Sequence, residues 1–428
     1  MSKPGARKFA AIARLSWLVV LLVVGAGTWC TGCGGSGSGS STSTSTQSGG
    51  GGGSTSNSGA NVQPITVESG PAAVAGSPQT DSAFASVTVC VPGSTAQCQT
   101  ISGVLVDTGS SGLRVLASAL TLPLPQQKDG SGNPIVECAQ FVDGQTWGPV
   151  QMADIQISGE MASGAAIQVV GSPSFSTVPT SCSNLGPLED DLASLGANGI
   201  LGVGNFLQDC GPGCALSGAS NLGFYYACPT SGCQITALSM AQQVVNPVSL
   251  FASDNNGVIV ELPAVSGPEA SVTGSMIFGI GTQSNNGLGS ATVYTVDPDI
   301  GNFTTTFNGQ TFSDAAFLDT GSNAIYFATS AITGMATCKD LTFFYCPGST
   351  ENFTAMNMGV NGTSGSVSFS IGNADTLLAN PNDFVAPDLG GPNPGAFDWG
   401  LPFFFGRNVF TAIEGKTTPG GTGPYVAF

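Results

Sequence analysis

Two stretches far apart in the chain carry the same four residues, Asp-Thr-Gly-Ser. Val104-Leu-Val-Asp-Thr-Gly-Ser-Ser111 and Ala316-Phe-Leu-Asp-Thr-Gly-Ser-Asn323 each run an apolar segment into a turn led by a carboxylate. At average composition an Asp-Thr-Gly-Ser arises by chance in roughly one chain in fifty of this size. A lone copy is ordinarily a turn in which Asp accepts hydrogen bonds from nearby backbone N–H groups. Two copies in matching contexts point instead to two carboxylates brought together.

The repeat extends beyond the turns. Each is followed, further along, by an apolar run bracketed by glycines: Asn198-Gly-Ile-Leu-Gly-Val-Gly204 in the first half and Asp398-Trp-Gly-Leu-Pro-Phe-Phe-Phe-Gly406 in the second. Glycine in a strand permits close approach of another backbone. This order is a divergent internal duplication rather than a short-period repeat. The intervening runs Ser86–Cys90, Thr100–Val106 and Asp154–Ser158 read as strands, and Asp143-Gly144 marks a hairpin within 140–150. One stretch, Thr236–Val245, reads as a helix closed by Pro247. The expected fold is all-β with few short helices, and 428 residues allow about two domains.

There is no histidine. This excludes Ser-His-Asp and Cys-His catalysis and every His-ligated metal site. The net charge of -17 repels phosphate backbones, so no nucleic-acid partner is expected. Residues 1–33 have a basic start, an apolar run from Leu15 to Val24 and then Cys30-Thr-Gly-Cys33. The run is short for a membrane span and reads as an export signal. The segment resembles a bacterial lipobox, with Cys30 in place of the usual leucine. It implies cleavage before Cys33 and lipidation there; plain secretion or an uncleaved anchor are the alternatives. On the same resemblance Gly34 implies an exported protein held by lipid in the bacterial envelope, at the outer membrane. Residues 34–62, rich in Gly, Ser and Thr, form a flexible tether.

An exported chain oxidises its cysteines. Proximity suggests Cys90 with Cys98, Cys338 with Cys346, and Cys138 with Cys182 over a longer span. Cys210, Cys214, Cys228 and Cys233 allow three pairings, or a four-cysteine zinc site. Disulfides are the reading adopted, stapling an insert at about residues 205–235.

These motifs together resemble the pepsin-like aspartic peptidases. Asp107-Thr-Gly-Ser-Ser-Gly-Leu113 is similar to that family's first catalytic motif and Phe317-Leu-Asp-Thr-Gly-Ser322 to its second. The two glycine-bracketed runs, Gly274–Gly281 and the closing Gly423–Phe428 fall in the family's order over about residues 80–428. The resemblance implies a bilobal double-psi barrel fold, with lobes at 63–248 and 249–428. It implies Asp107 and Asp319 as a catalytic pair that shares one proton and activates a water. No metal or cofactor is then needed. Thr108 and Thr320 join the two turns, Gly109 and Gly321 bring N–H groups to the carboxylates, and Ser110 and Ser322 support them. Phe141, Gly144 and Trp147 fall on the flap, with Phe141 where relatives carry tyrosine. Arg114 stands where they carry tryptophan and is expected to partner an acid. Trp147 and Phe403–Phe405 are expected in the core. The implied function is an endopeptidase acting on a peptide or protein substrate as a monomer. A pepsin-like protein that only binds is the alternative.

Overall fold

The computed structural model describes residues 59–72, 79–331 and 335–428. The export signal, Cys33 and all but the last residues of the tether lie outside the described residues. The first half is built on β1 (Val62–Val67), β2 (Ala83–Cys90), β3 (Cys98–Asp107), β4 (Ser111–Leu116), β5 (Ile135–Gln140), β6 (Gln145–Ile157), β7 (Glu160–Val170) and β8 (Gly199–Val203), with two short strands, Tyr225–Ala227 and Gln234–Ile235, after them. Helices among the described residues are single turns, the α-helices each four residues long. The fold is all-β, as the sequence implies.

The duplication is visible in strand pairing. β3 runs parallel to β8, β8 pairs antiparallel with β4, and β4 runs parallel to β7. In the second half Gln310–Leu318 runs parallel to Phe397–Trp399, which pairs antiparallel with Ile325–Phe327, itself parallel to Gly390–Pro392. The strand carrying each Asp-Thr-Gly-Ser turn is therefore followed by a neighbour that returns beside it, with β8 between the two in the first half and Phe397–Trp399 in the second; the run between Gly400 and Gly406, expected as a second glycine-bracketed strand, is instead a 3-10 turn, Leu401–Phe404, started by Pro402. Because these strands are covered on both faces they read as continuous apolar runs, and β8 is buried throughout. β1 pairs with β2 and, over six residues, with Val272–Phe278, so one fifteen-stranded sheet crosses between the halves.

The two halves fill their interiors differently. Around β3 and β8 the core is aliphatic, with Val104, Val106, Leu113, Val115 and Leu201. Behind the second turn it is aromatic: Trp399 packs on Phe397 at 4.5 Å and on Phe403 at 5.3 Å. Phe403, Phe404 and Phe405 are buried, as expected, and so is Trp147.

Disulfides join Cys90–Cys98, Cys138–Cys182 and Cys338–Cys346, and the cysteine cluster resolves into Cys210–Cys214 and Cys228–Cys233. The expected helix at Thr236–Val245 is wrong. The stretch follows a two-residue strand, Gln234–Ile235, and holds one 3-10 turn, Met240–Gln242. Its backbone donors are taken sideways by the insert. Thr236 N donates to Tyr225 O, Leu238 N to Cys214 O and Val244 N to the Tyr225 hydroxyl, each at 2.8 Å. Tertiary hydrogen bonding overrides local helix preference here.

Two consequences can be measured. A Cβ on Gly202 would stand 2.7–2.8 Å from the backbone of Ser111, which β4 holds in place. Gly202→Ala should destabilise by about 1–3 kcal/mol, read as a lowered urea midpoint. Gly130→Ala, with nothing within 4 Å, should change it by no more than about 0.5 kcal/mol.

The second concerns buried acids. Burial raises the Asp81 carboxyl well above the usual range, offset in part by the Ala386 N–H at 2.8 Å and reinforced by Asp388. Burial and Asp254 raise Glu160. Such groups keep a proton in the native state after the unfolded chain, with pKa about 4, has lost it. Their stabilising contribution is full below the unfolded pKa and is lost as pH rises through the folded value. The melting temperature should fall between pH 5 and pH 7.5, and Asp81→Asn should flatten that slope.

Candidate active site

β3 ends on Asp107 and the strand Gln310–Leu318 ends one residue before Asp319. Each carboxylate is held by the same two donors from its own turn. Asp107 Oδ1 accepts from Gly109 N at 2.9 Å, and Oδ2 from the Ser110 hydroxyl. Asp319 Oδ1 accepts from Gly321 N at 2.7 Å, and Oδ2 from the Ser322 hydroxyl at 2.9 Å. The two aspartates are 1% and 0% exposed although both line a cavity.

The turns are locked to each other by their threonines. Thr108 N donates to Thr320 Oγ1 and Thr320 N to Thr108 Oγ1, both at 3.0 Å. Each hydroxyl then donates across to the opposite strand: Thr320 to Val106 O at 2.8 Å and Thr108 to Leu318 O at 3.3 Å. The interlock brings the Asp319 carboxyl against Gly109. A Cβ at Gly109 would lie 2.7 Å from Asp319 Cγ and Oδ1. Any larger residue there would displace the second carboxylate from beside the turn that holds the first.

Behind each turn a residue at the edge of its glycine-bracketed run closes the loop in the same way, just after β8 in the first half and at the start of the 3-10 turn Leu401–Phe404 in the second. Gly204 N donates to Ser110 O at 2.8 Å, and Leu401 N to Ser322 O at 2.7 Å. Both turns thus have their backbone fixed from behind and their side chains fixed from within.

The cavity is about 230 Å³. The hairpin between β5 and β6 covers it, with Gln140 and Phe141 on its lining and Phe141 N donating to Gly144 O at 2.8 Å. Gly144 sits in the hairpin turn, where a Cβ would meet Pro187 O at 2.6 Å. Trp147 is not brought to the cavity. Its indole N–H donates to Phe175 O at 2.7 Å and its ring meets Tyr226 edge-on.

Sequence reasoning missed what lies under the hairpin. Arg114 is buried with Glu137 and Asp209, its Nη2 at 2.9 Å and 3.0 Å from their carboxylates. Burial, then the Glu137 charge, raises Asp209 well above the usual carboxylate range. Asp209 and Phe206, Gln208 and Phe224 come from the cysteine-stapled region and line the cavity with Asp107. A signal was present: Glu137 is a lone charge in the apolar strand Ile-Val-Glu-Cys-Ala-Gln of a chain only 8% charged. Among the described residues the one group of potential metal ligands is Cys338, Cys346 and Asp375, and its two cysteines are joined as a disulfide.

Among solved structures the chain is similar to an aspartic proteinase from Irpex lacteus, at 16% identity and a TM-score of 0.48, over 86% of this chain and 96% of that one. No curated protein matches it in sequence. Residues 57–428 match the family described as "Protein of unknown function (DUF3443)", and the chain belongs to that family.

Proposed function

We propose that this protein is an aspartic-type endopeptidase, with Asp107 and Asp319 as its acid and base. One observation carries the reading: two carboxylates, each with an equivalent donor set, meet at a shared cavity through a reciprocal threonine interlock. Neighbouring carboxyl groups of this kind cannot both ionise readily and share one proton. The ionised partner takes a proton from a water between them, and the water oxygen attacks the peptide carbonyl. The protonated partner donates to the oxyanion as the tetrahedral intermediate forms. The intermediate then collapses as its C–N bond breaks and the amine leaves protonated. Thr108, Gly109, Ser110, Thr320, Gly321 and Ser322 hold the pair, and the cavity beside Phe141 takes a substrate side chain.

Phe141 supports a second reading, a protein on this scaffold that binds peptides without cutting them, because it brings no hydroxyl to the hairpin. A peptide library at acidic to neutral pH separates the two. Asp107→Asn and Asp319→Asn should each lower kcat by about 10²–10⁴-fold. Cleavage that persists in either variant would remove the assigned pair. Peptide binding by the wild type without any cleavage would establish the second reading.

We also propose that the chain is exported, matures at Cys33 and acts as a monomer tethered to the envelope by lipid. The five disulfides support export. Cys33→Ser should shift the protein from the membrane to the soluble fraction, read by fractionation and by the mass of the N-terminal peptide.

A further inference from the structure

We propose that Arg114 is a positioning residue for the hairpin over Asp107: its guanidinium, gripped by its own strand, by β5 and by the insert, stands over the ring of Phe141. The edge contacts come first. Nη1 donates to Ser111 O at 3.0 Å, four residues beyond Asp107. Nη2 donates to Glu137 on β5, the strand that leads into the hairpin, and to Asp209 of the insert. Asp209 is itself fixed by the Tyr225 hydroxyl at 2.6 Å, and that hydroxyl accepts from Val244 N at 2.8 Å. Burial works against the charge on Arg114, and Glu137 and Asp209 outweigh it, so the guanidinium stays firmly protonated.

A guanidinium's donors lie in its plane, which leaves its faces open for an aromatic ring. Arg114 Cζ stands 5.5 Å from the centroid of Phe141. Phe141 is the first residue of the hairpin turn and lines the cavity with Asp107. A desolvated cation under a ring attracts it through the ring quadrupole. The contact therefore holds the hairpin down without a side-chain hydroxyl. It also links the hairpin's height to the Asp107 turn and to the insert through one side chain.

The catalytic consequence rests on the peptidase reading; the structural one does not. Two readouts keep them apart: amide hydrogen exchange across residues 138–147, and KM and kcat on a cleaved peptide. Phe141→Leu leaves the buried ions intact and should speed exchange in that segment by about tenfold, with a larger change in KM than in kcat. Phe141→Tyr keeps the ring and should keep the slow exchange. Arg114→Lys keeps the charge but loses the flat face, and should speed exchange as Phe141→Leu does. The double variant should be no faster than either single one, because both remove one interaction. Unchanged exchange in Phe141→Leu, equal acceleration in Phe141→Tyr, or additive effects in the double variant would each overturn the proposal. Absence of wild-type cleavage would overturn the peptidase reading alone, and the exchange results would still decide the role of Arg114.

Discussion

The hydrogen bonds that join Thr108 and Thr320 tie together segments more than 200 residues apart, and the site depends on them. Each hydroxyl accepts from the opposite backbone N–H and donates to the opposite strand's carbonyl, so both buried hydroxyls are satisfied. Moving either turn would strand several buried polar groups at once, and an unmade buried hydrogen bond costs more than a made one contributes. The arrangement also requires that both strands end at the same depth. That requirement explains why the two halves keep matched pairings: a parallel strand beside each acidic strand and an antiparallel return beyond it.

The halves preserve this polar geometry while filling their cores with different side chains. Aliphatic residues pack behind Asp107, whereas Trp399, Phe397 and Phe403 pack behind Asp319. Cores tolerate such exchange when volume and pattern are kept. The turn does not, because its atoms occupy space that no Cβ can share. Gly109 faces the Asp319 carboxyl, and Gly202 faces the Ser111 backbone. The constraint on this fold is therefore concentrated in a few hydrogen bonds and glycines, and the surrounding apolar packing is free to diverge.

This distribution decides what could be read from the chain. The two turns, the first glycine-bracketed strand and the short disulfides Cys90–Cys98 and Cys338–Cys346 were legible because each is local or repeats, while Cys138–Cys182 followed from pairing the cysteines left over. The pairing within the cysteine cluster was open until the fold placed Cys210 beside Cys214 and Cys228 beside Cys233. Thr236–Val245 misled because its donors are claimed by residues 214 and 225, which no local periodicity reveals. Trp147 follows the hairpin in sequence, but the alternation of β6 aims it at Tyr226 instead of the cavity. Arg114 was recognisable as a partner for an acid. Which acids, and that there are two, depends on β5 and the insert meeting beneath the hairpin.

That meeting bears on what the insert is. A chain with 8% charged residues buries a guanidinium and two carboxylates in contact beside its cavity. Ions removed from water repay desolvation only while they stay paired and hydrogen-bonded, and separating one from the others is strongly destabilising. Asp209 is thus bound to the first half by more than chain connectivity, and Cys210–Cys214 begins one residue after it. The stapled region could not be an independent appendage without leaving Arg114 one carboxylate short. It follows that the insert belongs to the wall of the cavity, to which it contributes Phe206, Gln208, Phe224 and the carboxylate that meets Arg114.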